Sequence, residues 1–180
     1  MITKEYILNL QQELNKKGDP SVKLWWENYV KGSAPFIGVK MPVIRSILHE
    51  WYKNNIEGKT DNQEQVELAL ELFNERYSEE KLAGVLFLQE ILIPGKLISC
   101  NNLDRLAGLF TSNLIYDWNI CDKVLGPLIK ENGTDCARKI SQWRYSENLW
   151  QARASVVAFV NLAGNKDFYP EILESCQLLI

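Results

Sequence analysis

Apolar residues recur at helical spacing along almost the whole chain, and alternating strand-like runs between hairpin signals are nearly absent. A chain patterned this way hides one stripe per helix, so its helices must pack on one another. Asp19-Pro20 reads as an N-cap with Pro at the first helical position, and Val22, Trp25, Trp26, Tyr29 and Val30 follow as a stripe that stops at Gly32-Ser33-Ala34-Pro35. Pro42 opens the next helix, with Ile44, Ile47, Leu48 and Trp51 inward and Asn54-Asn55 through Gly58 as its break. Asp61 with Glu64 forms a capping-box start, and Val66, Ala69, Leu70, Phe73 and Tyr77 make the stripe behind it. Ser78 caps another helix that ends at Pro94-Gly95.

The second half repeats this grammar. Leu103, Leu106, Ala107 and Phe110 share a face, Ser112-Asn113 is a break, and a short helix from about Ile115 to Leu125 is interrupted by Gly126-Pro127. Further helices are expected near 134–143, 147–163 and 166–178. Helix pairs at intervals of ~40 residues joined by short loops predict an all-α, HEAT-like array of antiparallel helical repeats, a curved α-solenoid forming one domain over residues 1–180. No self-similar motif recurs at that period, which leaves an irregular helical bundle as the alternative.

Composition narrows the chemistry. With 46% hydrophobic residues and only ten Gly and six Pro among 180, disorder is excluded as the main state. No apolar run approaches the ~20 residues needed to span a bilayer, and the N-terminal segment lacks a signal-peptide pattern, so a cytoplasmic address and no membrane partner are expected. Twenty basic against twenty-three acidic residues give a net charge of −3, so a nucleic-acid site must be a local basic patch. Cys100, Cys121, Cys136 and Cys176 form no CxxC pair and His49 is the only histidine. That spacing makes a zinc site and a Cys-His or Ser-His-Asp centre poor candidates; no metal and no cofactor are expected. Carboxylates, aromatics and basic groups remain.

Three residues break the bland pattern. Trp118 and Asp122 lie roughly 60–120° round from the apolar face carrying Leu114, Cys121, Val124 and Leu125, so an indole and a carboxylate one turn apart share the helix shoulder. Asp122 also falls in the last turn before Gly126-Pro127, where a negative charge meets the negative helix end at a cost of about 0.3–1 kcal/mol. A cation should compensate; the plain alternative to a functional acid is a surface Asp bridged by Lys123 or by an Arg. Arg153, close to the centre of a stripe of Leu149, Ala152, Val156 and Val160, is either half of a buried ion pair or a phosphate ligand. Tyr29 lies on its own helix's stripe, which favours a core aromatic with a satisfied hydroxyl.

Three segments together, FIGVKMPVIRSIL (36–48), IYDWNICDKVLGPLI (115–129) and SENLWQARASVVAF (146–159), resemble the AlkD-type DNA alkylation repair proteins, which are HEAT-like DNA glycosylases. The most specific element is Trp118-x-x-x-Asp122 ahead of a Gly-Pro step, supported by Gly38-Val39 with Pro42 and Arg45, and by Trp150-x-x-Arg153. The resemblance implies a concave, basic face on which Asp122 is the catalytic carboxylate and Trp118 an aromatic wall beside the lesion's deoxyribose. Tyr29, Arg153 and Arg45 become DNA-binding residues. It also implies that the damaged base is not flipped into a deep pocket. The chain stops at CQLLI, ahead of the family's last helices, where a second active-site tryptophan is expected and has no counterpart here.

These residue types suit the chemistry. A purine alkylated at N3 or N7 already carries positive charge and leaves without a general acid, so the developing sugar cation is what needs stabilising. One carboxylate can do that, aided by an indole π-face, with neither metal nor histidine. The expectation is a monomeric, monofunctional glycosylase acting on duplex DNA that contains alkylated purines. The alternatives are a non-catalytic HEAT-like module that binds damaged or branched DNA, and a protein-interaction scaffold, the latter suggested by the net acidity and an apolar C-terminal helix.

Overall fold

A computed structural model describes residues 2–110 and 119–179, and the regular elements among them are all helices, with no strand. The chain divides into two compact units, Met1–Leu92 and Ile93–Ile180.

In the first unit α1 (Ile2–Lys16), α3 (Met41–Trp51), α4 (Asn62–Glu71) and α5 (Ser78–Phe87) pack on one another around Leu10, Leu14, Ile44, Leu48, Leu68 and Phe87. The expected starts form as written. The Asp61 carboxylate accepts the Glu64 N–H at 2.8 Å while the Glu64 carboxylate accepts the Asp61 N–H at 3.0 Å, a reciprocal capping box. Ile44, Ile47, Leu48 and Trp51 are all buried, the inward set that the spacing predicts. The break expected over Asn54-Asn55 through Gly58 falls at the far end of that span, because a π-helical turn, Tyr52–Ile56, carries the chain on to Glu57 and to Gly58 at positive φ. Ser78 is not a cap either: Tyr77 occupies that position, with its N–H donating to Glu80 at 2.6 Å, and the buried Ser78 hydroxyl instead donates to the Pro35 carbonyl at 2.9 Å.

The sharpest departure is α2 (Pro20–Tyr29). Asp19 caps it as expected, accepting from the Ser21 N–H at 2.8 Å, yet its apolar stripe contributes no buried residue. The helix hangs from the loop 36–39. Trp26 stacks on Phe36 with centroids 5.6 Å apart, and the Asp19 N–H donates to Gly38 at 3.1 Å. Gly38 sits at φ +99, and a Cβ there would lie 2.2 Å from the Asp19 carbonyl oxygen, so only glycine allows this approach. The loop in turn is gripped by α5, where the buried Glu79 carboxylate accepts the N–H groups of Ile37, Gly38 and Val39 at 2.9, 2.8 and 3.0 Å. Three donors on one carboxylate satisfy backbone groups that would otherwise be stranded.

In the second unit, α6 (Leu103–Ala107) precedes the residues outside the described set, and the break expected at Ser112-Asn113 lies among those. Beyond them α7 (Gly126–Asn132), α8 (Thr134–Ser141), α9 (Leu149–Val157) and α10 (Tyr169–Leu179) pack in sequence order, and α8 and α9 both meet α10. Gly126-Pro127 starts α7 where the sequence predicts an interruption. A π-helical turn, Cys121–Leu125, runs straight into it, with the Gly126 N–H bonded to the Cys121 carbonyl. Proline has no N–H and its ring crowds the carbonyl four residues back, and the wider turn accommodates both. The buried face of α9 is Ala152, Ala154 and Ser155, whereas Leu149 and Val160 of the expected stripe are exposed. Cys100 and Cys136 form a disulfide that closes a loop around residues 101–135, a pairing without any local spacing signature. A buried Arg144 guanidinium ties α8 to α10, donating to the Ser141 carbonyl at 2.9 Å and to Glu174 at 2.8 Å.

If the Glu79 grip organises the loop that carries α2, Glu79→Ala destabilises the chain by about 3 kcal/mol or more, since it leaves several donors without their charged acceptor. Urea unfolding monitored by circular dichroism measures this, and a loss under about 1 kcal/mol contradicts it.

Candidate active site

Asp122 lies in the π-helical turn between buried Cys121 and Val124, so the local backbone turns its carboxylate away from the core. Its side chain is nevertheless only 10% exposed, and each of its oxygens meets a donor. The Lys123 ammonium lies 2.6 Å from Oδ2, and the Asn161 side-chain amide donates to Oδ1. Lys123 is its neighbour in sequence, whereas Asn161 arrives from the 3-10 turn Val160–Leu162 that follows α9. The cation beside Asp122 is therefore Lys123, the partner named by the plain surface-acid alternative. The helix does not end at Gly126-Pro127 but continues to Asn132, so Asp122 sits at an interior π-turn and not at a helix C-terminus. π-turns open the backbone hydrogen-bond ladder and occur often at functional sites. Trp118, its expected partner, lies outside the described residues.

α9 packs against this π-turn. Its start is set by Asn148, whose side-chain oxygen accepts the Trp150 N–H at 2.9 Å and whose amide donates to the Phe110 carbonyl at 3.2 Å. Arg153, one turn further on, lays its guanidinium over the Trp150 ring at 5.7 Å. Its Nη1 is buried and has no hydrogen-bond partner among the described residues. The buried ion pair considered for Arg153 is not found among them. A guanidinium nitrogen left without an acceptor is costly, and an arriving anion would relieve that cost.

The remaining two candidates belong to the first unit. Tyr29 is 66% exposed, which overturns the core-aromatic expectation. Helical period marks a face as apolar without saying whether another helix covers it. Its ring instead stacks on Trp25, itself 58% exposed, with centroids 5.4 Å apart and planes 6° from parallel. Arg45 stands on α3 with its Nε donating to Glu90 at 2.7 Å, and the other Glu90 oxygen meets His49 Nε2 at 2.8 Å. Burial pushes the Glu90 carboxyl up, but the hydrogen bonds from His49 and Arg45 outweigh it and hold the group below the ordinary carboxylate value. The stabilisation from this pairing is thus present above pH about 4.5 and is lost as pH falls through the lowered value. Arg45 is not a free cation.

The structure therefore gathers Asp122, Lys123 and Asn161 with α9 and Arg153 in one unit, and places Tyr29 and Arg45 in the other. Sequence reasoning missed Asn161, whose link to Asp122 spans 39 residues and leaves no local pattern. It also missed the exposure of Trp25. Among the described residues no cluster of three or more His, Cys, Asp or Glu could hold a metal ion, and no helix is long and apolar enough to cross a membrane.

No curated protein matches the chain. A family model described as DNA alkylation repair enzyme matches residues 10–180, nearly the full length, and agrees with the all-helical architecture. The chain belongs to the DNA alkylation repair enzyme family, and its role is in DNA repair.

Proposed function

We propose that this protein is a monofunctional glycosylase that hydrolyses the N-glycosidic bond of N3- or N7-alkylated purines in duplex DNA and leaves an abasic site. The observation that carries the reading is the Asp122 carboxylate, nine-tenths shielded, held by donors on both oxygens and packed beside the helix whose Arg153 has a buried nitrogen without a hydrogen-bond partner among the described residues. As the C1′–N bond of a cationic purine breaks, its electron pair moves to the base and neutralises it, and positive charge develops on the deoxyribose. A fixed carboxylate stabilises that charge without reorganising, which is where electrostatic catalysis is most effective. Water then adds at C1′ and loses a proton, and the sugar is left with a hydroxyl. Trp118, four residues before Asp122, would offer its π-face to the same cation. Arg153 would bind a backbone phosphate, and Tyr29 and Arg45 would contact the duplex.

Lys123 opposes this chemistry in the DNA-free chain, since an ammonium 2.6 Å from Oδ2 offsets the charge the sugar cation needs. Lys123 is substantially exposed, so a DNA phosphate can compete for it. The same ion pair favours a second reading, in which the surface binds damaged duplex without chemistry. Product release separates the two: incubation with methylated duplex yields free 7-methylguanine from a glycosylase and none from a binder.

Asp122→Asn should retain DNA affinity and lower excision by about 10²–10³, the scale of losing one preorganised charged group. Excision at the wild-type rate removes Asp122 from the reaction. The two arginines should move the salt dependence of duplex binding in opposite directions. Arg153→Ala deletes about one phosphate contact and flattens the slope of log K against log salt by about one, while Glu90→Gln releases Arg45 and steepens it by a similar amount. Fluorescence anisotropy across a salt series reads both; slopes unchanged from wild type would show that neither guanidinium meets phosphate.

A further inference from the structure

We propose that Asn161 is a positioning residue for Asp122, fixing the plane of its carboxylate while leaving its charge intact; this rests on the glycosylase reading. The two donors on Asp122 are chemically unlike. The Lys123 ammonium on Oδ2 cancels charge, whereas the Asn161 amide on Oδ1 supplies only a dipole. Of the two, only the amide can orient the acid through the reaction without competing with the sugar cation. The elements behind each group support this division. Lys123 rides on the same π-turn as Asp122 and cannot brace it from outside, while Asn161 belongs to a separate turn. That turn is well seated: Phe159 just before it is buried and lies near Phe168, the Leu162 N–H donates to the Phe159 carbonyl at 2.8 Å, and α7 packs against it. Asn161 itself is exposed, and its side chain makes no other hydrogen bond among the described residues, so its packing gives no reason for an amide at this position. The bond to Asp122 does.

A reacting carboxylate that can swing loses the benefit of orientation, and small misplacements cost up to about 10² in rate. The test is single-turnover release of 7-methylguanine from methylated duplex, measured together with the duplex Kd. Asn161→Leu, near in size but without a donor, should lower the rate by tenfold or more and leave Kd unchanged. Asn161→Gln, which keeps the amide, should recover most of that loss, and Asn161→Ser serves as a second donor-bearing variant. Because Asn161 acts through Asp122, the Asp122→Asn/Asn161→Leu double variant should be no slower than Asp122→Asn alone. A wild-type rate for Asn161→Leu, a fall in DNA affinity that accounts for the rate loss, or multiplicative effects in the double variant would each overturn the positioning role while excision by the wild-type chain still stands. A wild-type chain that releases no base overturns the glycosylase reading and this role with it.

Discussion

A carboxylate at the edge of a helical core is stable only if something replaces the water it gives up, and at Asp122 that replacement comes from two sides. One donor is local and charged; the other is distant and neutral. The local one makes the site inexpensive to fold, since an adjacent ammonium satisfies the acid before any ligand arrives. The distant one ties the π-turn Cys121–Leu125 to the chain after α9, so the direction of the carboxylate depends on how that helix is seated. Arg153 is carried by the same helix, which couples the placement of its guanidinium to that of the acid.

A second carboxylate does comparable work for the first unit. Glu79 gathers three consecutive N–H groups of the loop 36–39, and that loop positions α2 through Gly38 and Phe36. The outcome is a helix that spends its apolar residues on display, with Trp25 and Tyr29 stacked in the open. Exposed aromatic rings on an otherwise acidic protein fit a chain whose ligand is nucleic acid, where flat faces and local positive charge matter more than net charge. Both units thus use a shielded acid, Glu79 to hold a loop and Asp122 to join a π-turn to the chain after α9.

Much of the fold was legible because caps and stripes are local. Asp19-Pro20, Asp61 with Glu64, and the inward set Ile44, Ile47, Leu48 and Trp51 are written within one or two helical turns, and the structure follows them. Errors arose where a neighbour decides. Tyr29 has the right period for a core residue, and period does not report whether another helix arrives. Gly126-Pro127 reads as a stop by propensity, yet widening the preceding turn costs less than ending a helix whose flanking residues are buried. Cys100 with Cys136, and Asn161 with Asp122, meet only after folding, so no spacing rule could pair them. Asp122 stands out through a resemblance spread over three segments, because periodicity alone is met equally by a functional acid and by a surface acid beside Lys123 or bridged by an Arg.

The most direct test concerns the charge that Asp122 is said to stabilise. Deuterium at C1′ of an N7-methylated deoxyguanosine in duplex DNA reports whether that carbon approaches a planar cation before water adds. Single-turnover excision by the wild-type chain should show a clearly normal secondary isotope effect, with the labelled substrate slower. An isotope effect of unity on a rate-limiting bond cleavage would contradict carboxylate stabilisation of a sugar cation, as would the absence of any released base.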